Sequence, residues 1–155
     1  DAIRGIVRDD VLYSRNYETT RWPGGNPETG YLNCDGSPTK TLVLKSRLDK
    51  DTKRFWDLCF GRRPTEELYF VQDDPDCVKN VADDESQQQL KAKLEAQMVA
   101  EMKAQKDPRM LGRGDYFEKI PYVNGGNGNF HEGFINGETV RAGWVNKSDF
   151  EEKLD

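Results

Sequence analysis

Arg62-Arg63-Pro64-Thr65-Glu66-Glu67-Leu68-Tyr69-Phe70-Val71-Gln72-Asp73-Asp74-Pro75-Asp76-Cys77-Val78-Lys79-Asn80-Val81-Ala82 reads, in order, as a strand, a carboxylate-rich turn and a short helical step. Leu68, Phe70 and Gln72 fall on one face of the extended segment, Tyr69 and Val71 on the other. Both faces are therefore largely apolar, the pattern of a strand covered on two sides. Asp73, Asp74 and Pro75 then supply turn chemistry, because Asp side chains accept from nearby backbone N–H groups and proline presets φ.

N-terminal to this stretch, residues 3–8 and 11–17 alternate around Asp9-Asp10 and predict a hairpin, with Val11, Tyr13 and Arg15 on one face and Leu12 on the other. It would be the first strand pair of an antiparallel sheet. From Glu18 to Gly36 the chain is rich in Pro, Gly and Asn and reads as a long loop, of a length that in compact domains is usually functional or disordered. Ser37-Pro38 is a helix start, followed by Leu42, Val43 and Leu44, since serine caps free N–H groups and proline suits the first turn. A second helical stretch over 52–60 places Phe55, Trp56, Cys59 and Phe60 on one side, with Gly61 ending it.

C-terminal to the opening stretch, about 84–105 carries Leu90, Leu94, Met98 and Met102 at four-residue spacing, an amphipathic helix to be laid on a sheet. Asp107-Pro108-Arg109 stops it. The remainder contains Asn124-Gly125-Gly126-Asn127-Gly128-Asn129, yet Tyr116, Phe117, Phe130, Phe134 and Trp144 are too many aromatics for simple disorder. It reads as an arm packed along the body of a larger protein, ending in a short helix over 147–154. The domain reading is thus 1–122 as a subdomain and 123–155 as a Gly/Asn-rich C-terminal arm.

The 155 residues are 35% hydrophobic and 33% charged with a mean hydropathy of −0.90, which describes one compact unit with a thin core and extended arms. A net charge of −5 argues against nucleic acid as a partner, since displacing counterions from phosphates needs a basic field. No apolar run approaches the roughly 18 residues of a membrane span. Cys34, Cys59 and Cys77 are odd in number and lack a Cys-x-x-Cys pair, so they imply neither a closed disulfide set nor a zinc site. The opening Asp1-Ala2-Ile3-Arg4, without an initiator Met and with a strand under way, reads as a fragment of a longer polypeptide.

Arg63, Pro64, Glu66, Glu67, Leu68, Tyr69, Asp74, Pro75, Asn80 and Ala82, taken in their joint order, resemble the C-terminal signature of type I sulfatases, with departures at Phe70 for the usual Asp and Val81 for the usual Leu. Arg4 to Tyr17, then Arg21-Trp22-Pro23-Gly24-Gly25, Asp35 to Thr39 and the Asp107-Pro108-Arg109 exit, look like bacterial members near the heparan N-sulfatase (sulfamidase) branch. The resemblance covers about residues 3–122. It implies an α+β fold, the smaller C-terminal subdomain of an alkaline-phosphatase-like hydrolase: an antiparallel sheet of about four strands with a long helix across it. It also implies hydrolysis of sulfate esters or sulfamates of a sulfated carbohydrate, in a periplasmic or secreted enzyme. The formylglycine and the calcium ion of that chemistry are implied on a missing N-terminal sulfatase domain, leaving this chain with no catalytic residues, no metal ligands and no cofactor of its own.

Arg15, Asn16, Arg21 and Trp22 are the candidate substrate-binding residues. Guanidinium groups bind sulfate or carboxylate oxygens in a fork and an indole stacks on a sugar face, while the plainer reading is two surface charges and a packing corner. Cys59-Phe60-Gly61-Arg62-Arg63 imitates the family's formylglycine motif, but Gly61 stands where Pro or Ala is required and no matching continuation follows. Cys59 is expected to be a buried helix cysteine. His131 alone cannot build a histidine-ligated metal site, and Asp73, Asp74 and Asp76 lack the Gly and Glu of a calcium loop. Arg113-Gly114-Asp115 is read as a chance tripeptide, Asn146-Lys147-Ser148 as a glycosylation sequon only in a eukaryotic secretory protein, and the glycines at 125, 126 and 128, without a strand before and a helix after, as no phosphate-cradling loop.

The expectation is a sulfatase C-terminal portion that stabilises the fold and walls part of the substrate pocket. A non-enzymatic carbohydrate-binding or assembly module is the alternative. The face that would dock on the missing domain predicts an apolar patch, a fragment homo-oligomer or strand pairing in its place.

Overall fold

A computed structural model describes residues 2–120, 130–152 and 154. The fold is α+β, and the chain divides into two compact units: Asp1–Glu18 with Pro64–Pro121, and Thr19–Arg63 with Tyr122–Asp155. Residues 19–63 thus group with the C-terminal stretch.

The first unit holds β1 (Ile3–Arg8), β2 (Val11–Asn16) and β3 (Glu66–Phe70), a three-stranded antiparallel sheet in the order β1-β2-β3. Asp9 and Asp10 close the hairpin at φ 50° and 61°, the left-handed region that Asp tolerates and tight hairpins require. Ile6 stands opposite Tyr13, and Tyr13 opposite Leu68. Tyr13 and Leu68 are fully buried and meet Val11, Val81, Ala82, Leu94, Met98 and Met102 in one core. The last three come from one face of a single helix, α3 (Gln88–Ala104), as the four-residue spacing predicts.

Three strands stand where about four were expected. Beyond β3 the chain returns alongside, but one side chain replaces a ladder. Asn80 Oδ1 accepts from the N–H groups of Leu68 (2.9 Å) and Ala82 (3.0 Å), and Asn80 Nδ2 donates to the Glu66 carbonyl (3.1 Å). Val81 N–H adds a bond to Leu68 O at 3.0 Å. Asp74 shapes the preceding turn, its carboxylate accepting from Val78 N–H and Lys79 N–H.

α3 ends as the sequence predicts, with a paired closure. Lys106 sits at φ 57°, its N–H bonds to Lys103 O and the Asp107 N–H bonds to Met102 O, the two-bond cap that follows a left-handed residue. Asp107 then accepts from Arg109 N–H (2.8 Å) and from Arg4 Nε on β1 (2.7 Å). The Asp-Pro-Arg exit therefore fastens the helix end to the sheet.

The second unit holds α1 (Pro38–Ser46), α2 (Lys53–Cys59) and α4 (Phe130–Ile135). Ser37 Oγ accepts from Lys40 N–H and caps α1 as expected. The Pro/Gly-rich loop is part of the core: Tyr31 is fully buried and packs with Leu44, Trp56 and Phe60. Two side chains assigned to the inner side of α2 lie outside. Phe55 is 45% exposed and Cys59 is also exposed, because so short a helix buries only Trp56. The expected buried helix cysteine is thereby corrected.

The C-terminal residues are not extended away from this unit. Trp144 Nε1 donates to Leu32 O (2.8 Å), Gly36 N–H to Trp144 O (2.7 Å) and Glu151 N–H to Pro27 O (3.1 Å). The helix expected over 147–154 is a single 3-10 turn, Lys147–Asp149. The glycines at 125, 126 and 128 lie outside the described residues, as does the His131 side chain.

Candidate functional site

Arg15 and Asn16 belong to the first unit, at the end of β2. Arg15 forms an ion pair with Glu95 of α3, and its guanidinium lies 5.6 Å from the centre of the Tyr17 ring. Burial lowers the Arg15 pKa, but Glu95 and Tyr13 outweigh it and the guanidinium titrates above its ordinary value. Arg109 covers the same Tyr17 ring at 4.9 Å. Asn16 is 8% exposed, and its side chain accepts from Glu18 N–H at 3.0 Å, a local turn that competes with any ligand for the carbonyl.

The neighbouring cluster rests on Glu66, the first glutamate of the signature. It accepts from Tyr13 Oη (2.7 Å) and pairs with Lys91 of α3 (3.1 Å). Partial burial raises the Glu66 carboxyl, yet the bonds from Tyr13 and Lys91 more than offset this and hold it below the usual carboxylate range. Burial, then Glu66, push the Tyr13 hydroxyl up. Tyr69 Oη and Ser14 Oγ both donate to Glu67, so the two signature glutamates stitch β3 to β2 and α3.

Arg21 and Trp22 belong to the second unit. Arg21 is half-buried in the loop. Trp22 meets Trp56 edge-on with ring centres 6.0 Å apart. Arg62 lies over Trp22, its guanidinium carbon 4.5 Å from the ring centre. This residue was absent from the sequence-based set. Its only signal was its place after Gly61, since a contact spanning the whole of α1 and α2 leaves no local periodicity. Arg63, the signature arginine, donates to Leu58 O at 2.7 Å and satisfies the C-terminal end of α2.

Two surface clefts lie elsewhere. One, about 450 Å³, runs between β1 and α3 past Arg4, Arg8, Met98 and Glu101. Another, about 620 Å³, opens at the start of α1 beside Ser37, Thr41, Lys45 and Asn146. Neither is lined by the four residues chosen from sequence.

Among the described residues no three His, Cys, Asp or Glu side chains converge as a metal site. Cys59 stands exposed at the end of α2, beside Phe60. No helix of the described residues is long and apolar enough to cross a membrane. No family model, curated protein or solved structure matches the chain.

Proposed function

We propose that this chain is the C-terminal portion of a type I sulfatase acting on a sulfated carbohydrate, a subdomain of the alkaline-phosphatase-like fold. One observation carries the reading. The residues that match the family signature are bonded to one another and to the sheet: Glu66 and Glu67 to β2, Asn80 to both neighbours of the return, Asp74 to its own turn. Such a set is what a family would need to keep together for structural reasons. The antiparallel sheet with a long helix packed on it agrees with the same subdomain.

In this reading the formylglycine, the calcium ion and the reaction itself belong to an N-terminal domain, in a periplasmic or secreted enzyme. The chain contributes stability and part of the pocket wall, with Arg21 and Trp22 facing substrate. Arg15, in the first unit, would have to exchange Glu95 for a substrate oxygen to bind substrate itself.

The test is sulfate release from a panel of sulfated saccharides by the longer parent protein, with the 155-residue chain assayed beside it. Turnover by the parent alone is expected. Release by the short chain would place a nucleophile here and overturn the reading, and saturable glycan binding by a parent with no turnover would establish the non-enzymatic module in its place.

A further inference from the structure

Most cations that lie over aromatic rings in this protein are already paired: Arg4 with Asp107, Arg15 with Glu95, Arg47 with Glu151, Lys53 with Asp57. Arg62 is exposed and makes no ion pair among the described residues. Its ring partner is Trp22, 4.5 Å from the guanidinium carbon. Trp22 is half-buried, and Trp56 beneath it is a buried member of the unit's core. A guanidinium laid on an indole keeps its N–H donors in a plane directed outward, with little rotamer freedom left to lose on binding.

The backbone on both sides is set by close packing. Gly61 ends α2 with its N–H on Trp56 O at 3.1 Å, and a Cβ there would stand 2.6 Å from the Asp57 carbonyl oxygen. Gly24, two residues after Trp22, faces Phe60 so closely that a Cβ would come within 2.9 Å of the ring. Gly25 N–H bonds back to Trp22 O at 3.2 Å. The two side chains are therefore presented from tight turns on either side of the same core.

The geometry points to Arg62 and Trp22 as a preformed subsite for a sulfated sugar, with the Arg62 fork on sulfate oxygens and Trp22 as the platform that holds the fork flat. The substrate class rests on the proposed sulfatase reading; the subsite itself rests on the stacked, unpaired guanidinium. With a net charge of −5 the protein as a whole repels a polyanion, so retention depends on a local fork.

The experiment titrates the 155-residue protein with a heparin-derived tetrasaccharide and with its desulfated counterpart, reading indole fluorescence and heat. Saturable binding of the sulfated probe alone is expected. Arg62→Ala should weaken it about tenfold, the loss of one charge-assisted bond. Arg62→Lys should recover part of it, since a point charge replaces a fork. Arg54→Ala removes an exposed arginine that stacks on Phe55 of the same unit and should leave the affinity unchanged. Circular dichroism confirms that each variant is folded. Equal losses in Arg62→Ala and Arg54→Ala, or no saturable binding, overturn the subsite.

The two readings fail separately. A parent protein that releases sulfate with an unchanged KM in Arg62→Ala keeps the sulfatase and loses the subsite. Arg62-dependent binding in a parent that releases no sulfate keeps the subsite and loses the sulfatase.

Discussion

Asn80 shows how a side chain can take the place of a strand. Its amide serves two donors and one acceptor, and the Leu68 N–H it satisfies belongs to the centre of the first unit's core. A buried N–H left without a partner costs more than an exchanged bond gains. Asn80→Ala should therefore cost about 2 kcal/mol or more, measured as a shift in the urea midpoint. Asn80→Asp keeps the acceptor and loses only the donor to Glu66 O, so it should fall between the two; an alanine variant as stable as the parent sequence would show that water replaces the amide without loss. The carboxylates make a second prediction at this scale. At Asp107, as at Glu66, burial raises the carboxyl, but bonds from Arg4 and the Arg109 N–H outweigh it and leave the group below its ordinary value. Depressed carboxyls stabilise the folded state above the unfolded value of about 4 and lose that contribution as pH falls through the folded value. Stability should thus decline on acidification below about pH 4, and Glu66→Gln should decline less steeply. Parallel curves for the two proteins would remove Glu66 from the account.

Elements were legible in the sequence where their signals are local. The hairpin follows from alternation around Asp9-Asp10, α1 from Ser37-Pro38, and α3 from the spacing of Leu94, Met98 and Met102. The side chains of α2 were not, because seven residues turn past a core that accepts one of them, and neither Phe55 nor Cys59 carries a mark of its exposure. The long loop was legible as a loop, but its place in the core was not: glycine and proline signal turns and say nothing about whether the turns are buried. The end of α3 allows a quantitative check. Lys106 occupies the left-handed position of the helix closure, where a Cβ is penalised by roughly 1 kcal/mol. Lys106→Gly should raise the stability by about 0.5–1 kcal/mol, because relief of that strain exceeds the added freedom of the unfolded chain. A loss of stability would mean that the Lys106 side chain makes a contact worth more than its backbone costs.

Across the whole molecule, each unit is closed by residues far apart in the chain, and this is where sequence reading ran out. Arg15 and Trp22 could be chosen by residue type, but Glu95 as partner of the first and Trp56 and Arg62 as partners of the second could not, since no spacing rule links them. Lys40 is the extreme case. On α1 it reads as a surface lysine, yet its side chain is 1% exposed and donates to the carbonyls of Gly30 (2.8 Å), Tyr31 (3.2 Å) and Cys34 (2.7 Å). Asp149, fully buried in the last 3-10 turn, stands 3.6 Å from the same ammonium and accepts from Thr41 Oγ1 at 2.7 Å. The pair locks the loop, α1 and the C-terminal residues together within the second unit. Breaking a buried pair from one side leaves an uncompensated charge, a loss of about 3–5 kcal/mol, whereas an uncharged isostere keeps the local hydrogen bond. Asp149→Ala should therefore destabilise this unit by about 3 kcal/mol or more and Asp149→Asn by less, in urea melts followed by indole fluorescence. Lys40→Met should cost at least as much as Asp149→Ala, because three loop carbonyls lose their donor while the carboxylate keeps only its hydroxyl partners. If Lys40→Met melts with the parent sequence, the loop is held by its apolar contacts through Tyr31 and Leu32, and the buried pair is a passenger of that packing.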